Sequence, residues 1–159
     1  MKNFLFLCAV SFLMISCTPK NSAFRYFDKG DMEANAIRYT KKADIISNNE
    51  VDITFIATHL NKLNPRLDAK EDSFLVYVYF SDLEVQDIKA NNYEILLNGK
   101  VPSSIQKLDK DDEIYKNLML KNFWGTYYLV KFNNQDLVSK LDLTLKPKSN
   151  DATLSFEKY

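Results

Sequence analysis

Apolar and polar residues alternate one for one in segment after segment of this chain. That period of two is the pattern of a β-strand with one buried face. Val51, Ile53, Phe55 and Ala57 alternate with Asp52, Thr54 and Thr58, after a turn at Asn48-Asn49. Tyr128, Val130 and Phe132 alternate with Tyr127, Leu129 and Lys131; Leu141, Leu143 and Leu145 with Asp142, Thr144 and Lys146; Ala152, Leu154 and Phe156 with Thr153, Ser155 and Glu157. Ser73 to Ser81 is apolar on both parities, with Phe74, Val76, Val78 and Phe80 on one and Leu75, Tyr77 and Tyr79 on the other. A strand of that kind is covered on two sides or presents its second face to something.

Further strands are expected from Ile37 to about Ile46 and around Tyr93, Ile95 and Leu97. Asn98-Gly99 predicts a type I′ hairpin, with a return strand from Val101 to Leu108. Pro102 places that return strand at an edge. Phe24 to Ile37 fits a short amphipathic helix with Asp31 as its N-cap, and Asp109 to Tyr115 fits one helical turn. About eight short strands and little helix predict an all-β chain: an immunoglobulin-like β-sandwich, with a small barrel as the alternative. Nine Tyr, eleven Phe and one Trp against three Gly and four Pro agree with a sheet protein.

The first seventeen residues stand apart. Lys2 precedes an apolar run from Phe4 to Ile15. Such a run is too short to cross a hydrocarbon core, which takes about 20 residues, and it fits the apolar region of a secretory leader. Met14-Ile15-Ser16-Cys17 resembles the lipobox of bacterial lipoproteins. The resemblance implies cleavage before Cys17, a diacylglycerol on its sulfur and acylation of the new amino group. Several acyl chains would make a stable anchor, since each buried CH₂ contributes ~0.8 kcal/mol. Thr18 resembles the residue that follows the lipidated Cys in outer-membrane lipoproteins. The expected organisation is therefore a signal peptide over 1–16, acylated Cys17 and a tether over 17–23, and a sandwich domain over 24–159.

The mature chain would keep 143 residues, enough for one core. Cys8 leaves with the leader and Cys17 is committed to lipid, so neither a disulfide nor thiol chemistry is expected. Without Lys2 the chain carries 20 basic against 21 acidic side chains, a formal charge of −1. That balance offers no footprint for nucleic acid.

Catalytic machinery is sparse. His59 is the sole histidine; its place at a strand end predicts a half-buried ring with one hydrogen bond. There is no nucleophile elbow, His-Glu-x-x-His or Cys-x-x-Cys. Asp109, Asp111 and Glu113 have the spacing of calcium-loop ligands, but Ile114 and Leu120 stand where an EF-hand needs Gly and Glu. A looser cation site at Asp109-Asp111-Asp112, and carboxylate pairs at Glu71-Asp72 and Asp82-Glu84, are the remaining candidates. No cofactor, metal or catalytic residue is expected. The most suggestive set is aromatic: Trp124, Tyr127, Tyr77 and Tyr79 converge if their strands are neighbours. The competing reading covers that face with the Phe24 to Met32 segment. The expected protein is a non-catalytic envelope lipoprotein, on the periplasmic face of the outer membrane, binding a protein partner or supporting an envelope assembly; the alternative is a glycan or peptidoglycan module using the aromatic face.

Overall fold

The computed structural model describes residues 31–63, 70–122, 124–134, 137–146 and 151–159. The leader, Cys17, the tether and the upstream part of the Phe24 to Ile37 segment lie outside the described residues.

Helix α1 (Asp31–Arg38) leads into β1 (Thr40–Ser47) and β2 (Glu50–His59); a single helical turn, α2 (Leu60–Leu63), follows. Then come β3 (Glu71–Phe80), β4 (Glu94–Leu97), β5 (Ser104–Leu108), a 3₁₀ turn at Lys116–Leu118, β6 (Thr126–Asn133), β7 (Lys140–Lys146) and β8 (Ala152–Glu157). The eight strands form two antiparallel sheets, β1-β2-β3-β6-β5 and β4-β7-β8. The all-β expectation holds at this level, including the hairpin turn between β1 and β2, where Asn48 and Asn49 both take positive φ (51° and 66°).

The alternation places the core. Phe55, Phe74, Phe80 and Phe132 of the large sheet face Ile95, Leu97, Leu141, Leu143 and Leu145 of the small one, all fully buried. The opposite parity of the large sheet is buried too. Leu75, Tyr77 and Tyr127 pack with Leu60, Leu108 and Met119 in a second cluster, flanked by Leu63, Tyr115 and Leu118. The two-faced strand at β3 is therefore central and covered twice. Its second cover comes from α2 and the β5–β6 connection. Side chains from both reach that face.

Two sequence expectations are corrected here. Residues 37–39 are not strand: Ile37 sits in the last turn of α1, exposed to solvent, and β1 begins at Thr40. Periodicity could not separate the two, because Ile37 and Tyr39 fit either pattern over so short a span. Asn98-Gly99 does form the tight turn, with both φ positive (49° and 78°) and reciprocal Leu97–Lys100 hydrogen bonds at 2.9 Å. The chain then leaves its sheet, and β5 pairs with β6 in the other. Asn98 explains why the turn stays behind. Its amide donates to the Lys140 carbonyl at 3.1 Å and accepts from the Asp142 N–H at 2.8 Å, tying the turn to β7. Pro102 lies just ahead of β5, which is an edge strand as expected.

Candidate functional site

Strand register brings the four aromatic residues together. Tyr77 of β3 stands directly opposite Tyr127 of β6, ring centroids 4.9 Å apart. Tyr79 lies two residues along the same face, and Trp124 reaches it from just before β6 at 6.1 Å. The set divides by depth. Tyr77 and Tyr127 are buried, Tyr79 is half-buried, and Trp124 is 70% exposed.

The buried pair acts as a footing. The Tyr77 hydroxyl donates to Asn122 Oδ1 at 3.1 Å, and the Tyr127 hydroxyl accepts the Leu120 N–H, so both tyrosines hold the connection that carries Trp124. Burial pushes the Tyr127 phenol up to about 12 and raises that of Tyr77 as well, keeping both protonated at neutral pH. Gly125 is required by this packing. A Cβ there would lie 2.5 Å from the Tyr77 ring and from the Val78 carbonyl oxygen. The same connection exposes Ile114 (74%) and Leu120. Ile114, Leu120 and Trp124 were not grouped by the sequence reading, since their spacing follows neither strand nor helix period.

The carboxylate candidates do not assemble. Asp112 Oδ1 accepts the N–H groups of Ile114 and Tyr115, both at 3.0 Å, and so shapes the turn. Glu71 pairs with Lys131 at 3.1 Å and Asp72 with Lys158 at 3.5 Å, while Asp82 and Glu84 are exposed. Among the described residues no three metal-ligating side chains converge. No protein family, curated protein or solved structure matches this chain.

His59 differs from its expectation. It is 2% exposed, and neither ring nitrogen has a hydrogen-bond partner among the described residues. Its ring stacks on Phe74 at 4.9 Å and meets the Phe156 edge at 6.0 Å. Burial, reinforced by Lys62 and Lys158, lowers its pKa to about 4. The sequence signal was its parity with Phe55 and Ala57, which points inward; the missing partner depends on β3 and β8 and could not be read locally. His59 pairs with Phe74, five residues along β3 from Tyr79, so about 17 Å separates the histidine from the aromatic step.

Proposed function

We propose that this chain is a bacterial envelope lipoprotein, anchored through acylated Cys17, whose non-catalytic sandwich binds a protein partner at the Trp124 step. The observation that carries the reading is Trp124: a large aromatic side chain left in solvent on a connection that is braced from beneath. An exposed tryptophan beside Tyr79, on a connection that also exposes Ile114 and Leu120, offers rigid apolar area at small entropic cost, as at an interaction hot spot. The working face is the β5–β6 connection.

The domain fits an immunoglobulin-like sandwich. With β1 set aside as an added edge, the orders β2-β3-β6-β5 and β4-β7-β8 correspond to A-B-E-D and C-F-G of the constant-type arrangement. Membrane attachment is tested by Cys17→Ala, which should abolish labelling with a palmitate analogue and release the protein from membranes. Labelling that survives would remove the anchor from the account.

The bare pairing of Trp124 with Tyr79 favours a second reading, stacking on a sugar ring of a cell-wall glycan. Trp124 is the sole tryptophan, so its emission reports this surface alone. A saturable blue shift on adding soluble peptidoglycan fragments would select the glycan reading. An unchanged spectrum would discard it and leave the protein partner.

A further inference from the structure

At the other end of the large sheet, a cleft of about 390 Å³ opens between Arg38, Tyr39, Lys41, Lys62, Phe156 and Glu157, with His59 and Tyr159 completing its wall. The side chains of Arg38, Lys41 and Lys62 share that wall with the Glu157 side chain. None of Arg38, Lys41 and Lys62 forms an ion pair with a carboxylate among the described residues. The neighbouring cleft, about 220 Å³, shares His59, Lys62 and Tyr159 and holds Glu71 and Asp72, which pair with Lys131 and Lys158.

The cations are also positioned. Lys41, exposed at the rim, holds its ammonium 5.7 Å from the centroid of the Phe156 ring. Arg38 ends α1, where the Ala36 carbonyl accepts both the Tyr39 N–H and the Thr40 hydroxyl, fixing the step from helix to strand. Beneath them lies His59, buried with no hydrogen-bond partner among the described residues. Leaving a buried polar group unsatisfied is destabilising, so an imidazole held between two phenylalanines is a poor choice for packing alone.

We infer that this cleft binds a phosphate-bearing ligand, with Arg38, Lys41 and Lys62 around the phosphate, Tyr39 and Phe156 against its organic part, and His59 beneath. The chemistry fits. A guanidinium forks onto two phosphate oxygens, and ammonium groups add point charges. A phosphate seated there also supplies the negative charge that favours imidazolium over imidazole. The field around His59 is otherwise set by Lys62 and Lys158, with Arg38, Lys41 and Glu157 in the cleft wall and Glu71 and Asp72 on the far side.

The sole histidine makes the test clean. The ¹⁵N-labelled full chain, purified in detergent without a polyhistidine tag, is titrated with inorganic phosphate while the imidazole resonances are followed. Chloride at matched ionic strength is the control. Saturable movement of the ring signals and a rise in the His59 pKa are expected with phosphate and not with chloride. In the Lys41→Gln/Lys62→Gln variant, whose exchanged side chains lie on the rim, affinity should fall at least tenfold with the melting temperature unchanged. A second arm uses vesicles containing phosphatidylglycerol. Response to free phosphate assigns a soluble ligand; response to the vesicles alone assigns a lipid headgroup. Silence in both arms, equal movement with chloride, or an undiminished response in the double variant would overturn the inference.

Discussion

His59 shows how one residue can work against the fold that holds it. Its pKa is about 4 in the folded chain and near 6.5 when unfolded. Above pH 6.5 the ring is neutral in both states and costs nothing through protonation. As pH falls from 6.5 towards 4 the unfolded chain gains a proton that the folded chain refuses, so stability drops, by about 3 kcal/mol once pH reaches 4. Asp44, Asp87 and Asp142, whose pKa values are lowered in the fold, lose their contributions only below about 3.8, a separate and more acid window. His59→Phe, placing a third apolar ring between Phe74 and Phe156, is expected to flatten the loss between pH 6.5 and 4. Thermal melts at pH 5 and 7.5 check this: the wild-type chain should melt lower at pH 5, and the variant should show much less of that difference. Parity placed His59 on the inward face, but its isolation comes from two rings on β3 and β8, which no local pattern reports.

Among the elements, β3 and the β5–β6 connection depend on each other. Strand β3 was legible as a strand, since Phe74, Val76, Val78 and Phe80 alternate with Leu75, Tyr77 and Tyr79, and its two-faced character left open either a second cover or a presented face. The identity of that cover was not legible. Leu118 closes a three-residue 3₁₀ turn and Met119 and Tyr115 flank it, a span too short for burial to leave a period to detect. The turn at Asn98-Gly99 shows the same limit. Two residues fix a tight turn through their positive φ, but the sheet that the chain joins next depends on β6, some thirty residues ahead. Gly125 tests the cover directly. Gly125→Ala forces a methyl group against the Tyr77 ring and the Val78 carbonyl and should cost about 1–3 kcal/mol. Chemical denaturation measures it, and a loss below about 0.5 kcal/mol would mean that the connection is free to move away from β3.

For the whole molecule, the two ends of the large sheet carry different chemistry. One end presents the Trp124 step; the other presents the cationic cleft above His59. The core between them, Phe55, Phe74, Phe80 and Phe132 against Leu141, Leu143 and Leu145, holds both in place. The alternating strands named most of that core directly from the sequence, because each sheet faces the other with a single parity. The aromatic set was legible as residues and became a surface only once register paired Tyr77 with Tyr127. Its claim to be the working face is tested most directly by photo-crosslinking in cells of the native source, with a photoreactive phenylalanine analogue at position 124. The control carries it at Leu137, which is 100% exposed beyond the far end of β6, about 25 Å away along the strand. A discrete crosslinked adduct at 124 and none at 137 is the expected result. Equal adducts at both positions, or none at 124, would contradict the account.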